Sequence, residues 1–318
     1  MSLQALTITL NPAIDQTIQL ETLQPGAVHR ASSMRNDAGG KGINVAACLA
    51  DWGSDVAALG VLGGGNAGVF EALFRERGIV DHCQRVAGDT RTNLKLVDAR
   101  SNGTTDINLP GLRLGATHLQ GVADQLAPLL RAGLPVVLSG SLPAGLPDDS
   151  WAQLQARASA AGARVLLDTS GAPLVAALGA AREALPYAVK PNRHELEAWT
   201  GRPLTDRAAL SAAAHELLAR GIQLVVISMG TDGALFVQRD QRLIARPPRL
   251  AQGSSVGAGD AMVAGLAAAL IDHATTLEQC ARLATAFSTC RLESGDARRI
   301  TPEGVRRAAG EVVIETLS

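Results

Sequence analysis

The chain has 318 residues, of which 47% are hydrophobic and 19% charged, so it is long and apolar enough to fold around a sizeable core. Its 29 Lys and Arg against 30 Asp and Glu leave a net charge of −1, which excludes nucleic acid and anionic membranes as default partners. The longest apolar stretch, 263–271, is shorter than the about 20 residues that cross a bilayer.

The first residues lack a basic segment followed by an apolar one, so no signal peptide is expected. The four cysteines are scattered without CxxC spacing: Cys48, Cys83, Cys280 and Cys290. Such isolated thiols are typical of a reducing compartment rather than of a metal cluster. We therefore expect a cytoplasmic globular protein.

The beginning of the chain predicts a strand over 3–10 that ends at the turn signal Asn11-Pro12. Two hairpins are expected next. One pairs 14–21 with 28–34, and the other pairs 92–98 with 104–109 around an Asn102-Gly103 turn. Because turns rather than helices join these strands, they predict a small antiparallel lid over a site, contributed by about 12–36 and 90–110.

The rest of the chain alternates strands and helices. The predicted strands are 56–62, 136–139, 165–168, 188–190 and 224–228, and the predicted helices are 41–52, 67–77, 151–161, 193–200, 207–220 and 260–271. This alternation indicates an α/β fold with a mainly parallel sheet covered on both faces. A single domain over 1–318 is expected, with ligands at the carboxyl ends of the strands.

The segment Ser254-Ser255-Val256-Gly257-Ala258-Gly259-Asp260 precedes an alanine-rich helical run. Its glycines allow backbone N–H groups to converge where the helix adds its positive end, an arrangement that suits a phosphate. Asp260 at the mouth of this anion site is a candidate general base. An ordinary N-cap after a glycine turn explains the same residues equally well.

A second glycine-rich turn, 37–44, reads Asp-Ala-Gly-Gly-Lys-Gly-Ile-Asn and opens a helix. Lys41 supplies a point charge suited to a phosphoryl group. The segment is not a Walker A loop, because Arg35 stands where the first glycine would be and no Ser or Thr follows the lysine. A simple turn is the alternative.

Asn192 and Glu195 follow a strand and lie three residues apart, so both side chains share one face of the next helix. Such an oxygen pair can hold Mg²⁺ through its waters. A capping box accounts for the same spacing, and the two roles are compatible.

Two further glycine motifs are expected to be structural. The segment 63–68 matches the dinucleotide pattern GxGxxG, but no acidic residue ends a following strand at the required distance, so a tight, closely packed turn is favoured over an NAD-dependent oxidoreductase. The segment 253–257 matches the GxSxG pattern of hydrolases, but Pro247-Pro248 argues against a buried strand before it.

Taken together, the motifs resemble the PfkB (ribokinase-like) family of carbohydrate kinases. The resemblance rests on 11–15 (NPAID), 39–44 (GGKGIN), 90–93 (TRTN), 139–143 (SGSLP), 190–192 (KPN) with Glu195, 228–234 (SMGTDGA) and 256–260 (VGAGD). It implies a three-layer αβα ribokinase-like fold with a small antiparallel β lid, ATP and Mg²⁺ as cofactors, and a small sugar as substrate.

Within the family, the segment 105–111 (TDINLPG) and Lys41 resemble members whose sugar already carries a phosphate. Fructose 1-phosphate is the first candidate, and tagatose 6-phosphate and fructose 6-phosphate are the alternatives. One departure is the pair Ser254-Ser255, where the family often has Asp-Thr or Ser-Thr. A non-catalytic sugar-phosphate sensor is a further alternative, although such a protein would lack the base.

The resemblance also implies roles for individual residues. Asp260 would be the base, and the backbone of Gly257, Ala258 and Gly259 would hold the charge of the transferring group. ATP would lie along Lys190, Asn192, Ser228, Gly230, Gly233, Gly257 and Gly259, with Mg²⁺ held through water by Asn192 and Glu195. The sugar would contact Asp15, Gly39, Gly40, Asn44 and Asn108, and its phosphate Lys41 and Arg91, with Ser141 nearby. A homodimer formed through the lids is expected from relatives.

Overall fold

The computed structural model describes residues 2–101, 103–248, 257–295 and 299–317. The predicted turn residue Asn102 lies outside these ranges. Residues 249–256 do so as well, and they include Gly253, Ser254, Ser255 and Val256 of the glycine motifs. No helix in the described ranges has the length and apolar character needed to cross a membrane.

The described ranges form fourteen strands and ten α-helices. The strands are β1 (Ala5–Thr9), β2 (Ala13–Leu20), β3 (Ser33–Gly39), β4 (Val56–Gly63), β5 (Val80–Val86), β6 (Thr92–Asp98), β7 (Thr104–Asn108), β8 (Pro135–Ser139), β9 (Arg164–Asp168), β10 (Ala188–Val189), β11 (Leu224–Ser228), β12 (Ala234–Val237), β13 (Arg242–Arg246) and β14 (Val313–Thr316). The helices are α1 (Lys41–Trp52), α2 (Gly68–Arg77), α3 (Ala116–Leu126), α4 (Ser150–Ala160), α5 (Gly171–Leu178), α6 (Arg193–Thr200), α7 (Arg207–Arg220), α8 (Ala258–Ile271), α9 (Leu277–Glu293) and α10 (Pro302–Glu311).

The larger sheet has the order β14-β13-β12-β11-β10-β9-β8-β1-β4-β5 among the described strands. From β11 to β5 neighbouring strands are parallel, whereas β12, β13 and β14 extend the sheet by antiparallel pairing. The sequence analysis assigned none of β5, β12, β13 or β14. Charged or exposed residues interrupt β5, β13 and β14, whereas β12 (ALFV) is a buried run of only four residues that periodicity alone does not assign.

Two apolar clusters lie on opposite faces of this sheet. One contains side chains of α1, α2, α8, α9 and α10, and the other those of α3, α4, α5, α6 and α7. In β1 the alternation is direct, since Ala5 belongs to the first cluster while Leu6 and Ile8 belong to the second. The fold is therefore three-layered αβα, as the family resemblance implied.

The lid is a separate sheet with the order β3-β2-β6-β7. Each hairpin, β2 with β3 and β6 with β7, is antiparallel, and the two hairpins join through a parallel β2–β6 pair. The second strand of the first hairpin was expected at 28–34 but lies at Ser33–Gly39. Asp37-Ala38-Gly39 therefore completes the ladder opposite β2 instead of forming a free turn, and the lid continues directly into α1.

The glycines of 63–68 are explained by close packing. A Cβ on Gly63 would lie 2.3 Å from the backbone nitrogen of Thr90, and one on Gly65 would lie 2.1 Å from Asp89 Oδ1. Asn66 completes the junction, because its side chain bonds both the N–H and the carbonyl of Thr90 at 2.8 Å. This turn thereby anchors the segment that leads into β6.

Helices α8 and α9 pack closely at Gly265, so a larger side chain at this position should destabilise the core. Gly265 of α8 faces α9, and a Cβ there would lie 2.6 Å from Ala284 Cα. We expect Gly265→Ala to force α8 away from α9 and to lower the free energy of unfolding by about 1–3 kcal/mol, as overpacking does.

Gly310 in α10 is the matched control, since its Cβ position has open space. Gly310→Ala is expected to be neutral or stabilising by about 0.5–1 kcal/mol. Urea unfolding followed by circular dichroism compares the two variants, and equal stabilities would contradict the close crossing.

Candidate active site

The start of α8 is a glycine turn, at the place where the sequence predicts an anion site. Gly257 is its N-cap in the left-handed region, with φ of 82°, and the first backbone bond of the helix runs from Ala261 N–H to the Gly257 carbonyl. The N–H groups of Ala258, Gly259 and Asp260 precede that bond and point out of the helix end. Backbone donors and the helix dipole together favour a negative group at this place.

Asp260 lies in the first turn of α8 and is only 8% exposed. Asn44 of α1 donates its side-chain N–H to Asp260 Oδ2 at 2.8 Å, which fixes the plane of the carboxylate. Burial is the main cause that raises the pKa of Asp260 to about 6, and the nearby Asp168 carboxylate adds to it. A carboxylate with this pKa is available as a base near neutral pH.

Asp168, at the carboxyl end of β9, joins two cations. Its Oδ1 lies 3.3 Å from Lys41 Nζ and 3.3 Å from Lys190 Nζ, and the side chain is 1% exposed. Its Oδ2 is buried and has no hydrogen-bond partner within the described part of the chain. The sequence analysis missed Asp168, although an acidic residue that ends a buried parallel strand was the signal that would have found it.

Lys190 reaches the turn at the start of α8, and Lys41 lies within the field of Asp260 in the same turn. Lys190 is 7% exposed, and its Nζ lies 3.5 Å from the Cβ position of Gly259. Burial lowers the pKa of Lys41, but the fields of Asp168, Asp260 and Glu195 outweigh burial and raise it overall. The ammonium group of Lys41 is therefore stabilised in its charged form by these carboxylates.

Asn192 and Glu195 form the predicted capping box at the start of α6. Asn192 Oδ1 accepts from the Glu195 N–H at 2.9 Å, and Glu195 Oε2 accepts from the Asn192 N–H at 2.8 Å. No group of three or more metal-ligating side chains occurs in the described ranges. This donor set fits Mg²⁺ held through its waters, with Asp168 Oδ2 as a further buried acceptor.

The neighbouring strand end supplies a glycine-rich turn. Ser228 ends β11 and forms an isolated parallel bridge with Asn192. Gly230 and Gly233 both have positive φ, and a Cβ on Gly233 would lie 2.1 Å from the Ala245 carbonyl oxygen. The residues predicted for ATP therefore follow each other along the carboxyl ends of β10 and β11.

One face of the lid carries polar side chains in register. Asp15 pairs with Asp37 and with Asn93, and Asn93 pairs with Asn108. Asn93 Nδ2 donates to Asp15 Oδ1 at 3.1 Å, and Asp15, Asn93 and Asn108 line a cavity of about 230 Å³. Gly39 allows this arrangement, because a Cβ there would lie 2.6 Å from Asp15 Oδ2.

Gly40 connects the lid to α1 with φ of 110°, and a Cβ on it would lie 2.9 Å from Pro12 Cα. A side chain at this position would therefore push residues 39–41 away from Pro12, which follows β1. Gly39 and Gly40 let the loop approach the cleft closely enough for Lys41 and Asn44 to reach Asp168 and Asp260.

Arg91 and Ser141 meet at Asn11. Arg91 donates to the carbonyls of Asn11 and Pro12 at 3.4 and 3.3 Å, and Asn11 Nδ2 donates to Ser141 Oγ at 3.0 Å. Burial lowers the pKa of Arg91, whereas the field of Asp15 raises it.

Lys41 and Arg91, which the sequence analysis placed on one phosphate, have different charged neighbours. Those of Lys41 are Asp168, Asp260 and Glu195, and that of Arg91 is Asp15. The described contacts join Lys41 to Asp168, and Arg91 to Asn11 and Pro12. Lys41 also lies close to the segment of Ser141, because the Cβ position of Gly140 is 3.8 Å from Lys41 Cβ.

Known proteins resemble this chain in sequence and in fold. The model of the pfkB family carbohydrate kinases matches residues 8–303. The chain is 88% identical to a 1-phosphofructokinase of Xanthomonas campestris pv. campestris, covering 99% of each chain, and 46% identical to one of Rhodobacter capsulatus, covering 100% of this chain and 99% of the relative. The structure of Escherichia coli phosphofructokinase-2 in complex with potassium aligns with a TM-score of 0.90 at 28% identity, covering 97% of this chain and 98% of that one.

Proposed function

Because the chain belongs to the pfkB family of carbohydrate kinases, we propose that it is a 1-phosphofructokinase, which transfers the γ-phosphate of ATP to fructose 1-phosphate. It is a phosphotransferase with an alcohol group as acceptor. The observation that carries the proposal is the buried Asp260 carboxylate, held by Asn44 at the N-terminus of α8 beside two lysines. Relatives of 88% and 46% identity bear the 1-phosphofructokinase name.

Asp260 takes the proton of the reacting hydroxyl. The hydroxyl oxygen forms its bond to the γ-phosphorus while the bond from that phosphorus to the bridging oxygen of ADP breaks, and the hydroxyl proton passes to Asp260. Asn44 occupies Oδ2, which leaves Oδ1 for the substrate. Because Asn44 fixes the carboxylate plane, the base is oriented before the substrate arrives.

The moving phosphoryl group carries negative charge that the site is arranged to stabilise. The N–H groups of Ala258, Gly259 and Asp260 and the ammonium groups of Lys41 and Lys190 surround its place. Phosphoryl transfer depends on such positioning and charge stabilisation more than on covalent catalysis. Asp168 holds both lysines in place, so no reorganisation of the two cations is needed during the reaction.

Mg²⁺, when bound with ATP, supplies further positive charge to the phosphates. Asn192 and Glu195 would hold it through water, since each already uses one side-chain oxygen in the capping box. The ATP itself is expected along Lys190, Ser228, Gly230 and Gly233.

The acceptor sugar is expected between the lid and Asp260. Its hydroxyl groups would bind to Asp15 and Asn108 of the lid, to Gly39 and Gly40 at the end of the lid, and to Asn44 of α1. Arg91 and Ser141 would bind the phosphate that it already carries. A fixed phosphate orients the distant hydroxyl toward Asp260. Tagatose 6-phosphate and fructose 6-phosphate are alternative acceptors within the same mechanism.

We also propose a cytoplasmic homodimer. The second face of the lid carries Ile18, Met34, Leu94, Leu96 and Ile107, and Met34 and Ile107 are 61% and 44% exposed. An apolar face of this kind is suited to a second copy of the chain. Within the described residues the four cysteines are free, which supports a reducing compartment.

ATP turnover tests the function. We expect ADP release with fructose 1-phosphate to exceed that with tagatose 6-phosphate or fructose 6-phosphate.

Asp260→Asn should lower kcat by about 10²–10⁴ with little change in the KM for ATP or for the sugar phosphate, because it removes the base and keeps the shape. Because burial raises the pKa of Asp260, its ionisation is unfavourable in the folded state, and the variant should melt no lower than the wild type at pH 7.

The pH profile provides an independent check of the base. The raised pKa of Asp260, about 6, means that its ionised fraction falls as pH drops below that value. The wild-type kcat/KM should therefore fall about tenfold per pH unit below pH 6 and level off above it. Near-normal turnover of Asp260→Asn, or a flat profile down to pH 5, would exclude Asp260 as the base.

Lys41→Met tests whether Lys41 contacts the γ-phosphate of ATP or the phosphate that the sugar already carries. The contacts of Lys41 with Asp168, and the fields of Asp260 and Glu195, support a role at the transferring group. We expect kcat to fall about 10²–10³, as on loss of one transition-state donor, with the KM for fructose 1-phosphate changed less than threefold. A large rise in that KM with kcat retained would assign Lys41 to the existing phosphate instead.

Met34→Asp tests the dimer. The charge would lie on the exposed apolar face of the lid, where it opposes burial against a second copy. Sedimentation velocity should give about twice 32.8 kDa for the wild type and a monomer for the variant. A wild-type monomer at micromolar concentration would contradict the dimer without touching the catalytic proposal.

A further inference from the structure

Asn11 lies directly after β1, where the chain turns through Pro12 toward the lid. Its Nδ2 donates to Ser141 Oγ at 3.0 Å and to the Leu142 carbonyl at 3.4 Å. A carbonyl oxygen can only accept, so the amide atom that faces Leu142 must be the nitrogen. The contact with Leu142 therefore fixes which way the amide points.

The main chain of the same residue holds Arg91. Arg91 Nη2 donates to the Asn11 carbonyl at 3.4 Å, and Nε donates to the Pro12 carbonyl at 3.3 Å. Gly111 packs against both residues, because a Cβ there would lie 2.5 Å from Asn11 Oδ1 and 3.3 Å from Arg91 Cδ. Asn11 thus links a hydroxyl and a guanidinium that come from different parts of the chain.

The direction of the Asn11–Ser141 bond decides what Ser141 offers to a ligand. A serine hydroxyl has one hydrogen and two acceptor positions. When Asn11 donates to the oxygen, it occupies an acceptor position and leaves the hydrogen of Ser141 to be donated. A hydroxyl prepared as a donor beside a guanidinium favours an anionic oxygen.

We propose that Asn11 is a positioning residue for the phosphate that the acceptor sugar already carries. Its side chain fixes the Ser141 hydroxyl as a donor, and its carbonyl aims Arg91 at the same place. The inference rests on the proposed function, since it assumes that Arg91 and Ser141 face the sugar phosphate. It adds a residue that touches neither the base nor the expected path of ATP.

Asn11→Asp reverses the bond with almost no change in shape. An acceptor then faces Ser141 Oγ, so the hydroxyl hydrogen turns toward residue 11, and a negative charge stands near the phosphate. We expect the KM for fructose 1-phosphate to rise at least 100-fold with Asn11→Asp and about 10-fold with Asn11→Ala, the loss expected for one hydrogen bond to a charged group. The KM for ATP should stay within about twofold in both.

A double-mutant cycle with Ser141→Ala identifies the route. If Asn11 acts through the serine hydroxyl, Asn11→Ala should add less than about twofold to the KM in the Ser141→Ala background. Gln241→Glu is the matched control, because it introduces the same charge at an exposed turn and should leave both KM values unchanged. Melting temperatures of all variants show whether the fold is retained.

If Asn11 had only a structural role, its substitution would raise the KM for ATP and the KM for the sugar phosphate together. Alternatively, the increases in the KM for fructose 1-phosphate caused by Asn11→Ala and by Ser141→Ala would multiply in the double variant. Either pattern would overturn the inference. Should Asn11→Asp fail to fold, Gly111→Ala displaces the amide without deleting it and should raise the KM for fructose 1-phosphate alone.

Calorimetric binding separates this inference from the proposed function. If the wild type binds none of fructose 1-phosphate, tagatose 6-phosphate and fructose 6-phosphate, the proposed function fails and the inference fails with it. If the wild type binds one of them, and Ser141→Ala weakens that binding while Asn11→Asp does not, only the inference is wrong.

Discussion

A buried carboxylate between two ammonium groups determines the chemistry of the cleft. Asp168 is 1% exposed and lies 3.3 Å from both Lys41 Nζ and Lys190 Nζ. Without it, the two side chains would bring like charges together near the start of α8 with no carboxylate between them. With it, each lysine has an ion-pair partner, and the field of Asp168 helps to raise the pKa of Lys41. Its own negative charge also contributes to the raised pKa of Asp260, so one side chain affects both the cations and the base.

The sheet explains why these groups meet. Asp168 ends β9, Lys190 follows β10 and Ser228 ends β11, so parallel pairing brings three distant segments to one edge. The interior of these strands is mainly apolar, and buried polar residues such as Ser139 and Asp168 lie at their carboxyl ends. The cost is that Asp168 Oδ2 stays buried without a hydrogen-bond partner in the described ranges. A buried polar atom of this kind is tolerated where a ligand completes it.

Sequence patterns predicted α1, α6, α7 and β11 to the residue, and most of the other buried parallel strands to within two residues at each end. They also predicted the capping box of α6, because short-range cap chemistry fixes it. They failed for β3, whose pairing with β2 is decided by tertiary contacts, and for the edge strands. The contacts of Asp168 with Lys41 and of Asn11 with Ser141 span more than a hundred positions, so local spacing does not show them, although the place of Asp168 at the end of a buried strand does mark it as a candidate.

The first hairpin of the lid passes into α1 without an intervening loop, since β3 ends at Gly39 and α1 begins at Lys41. The lid face that contains Asp15 and the helix that presents Lys41 and Asn44 therefore share one continuous stretch of backbone. Gly40 lies between the two, and its φ of 110° is a conformation that favours glycine. A displacement of the sheet that carries Asp15 would therefore reach Lys41 and Asn44 through very few backbone bonds, so the proposed sugar-binding face is coupled covalently to the side chains that contact Asp168 and Asp260.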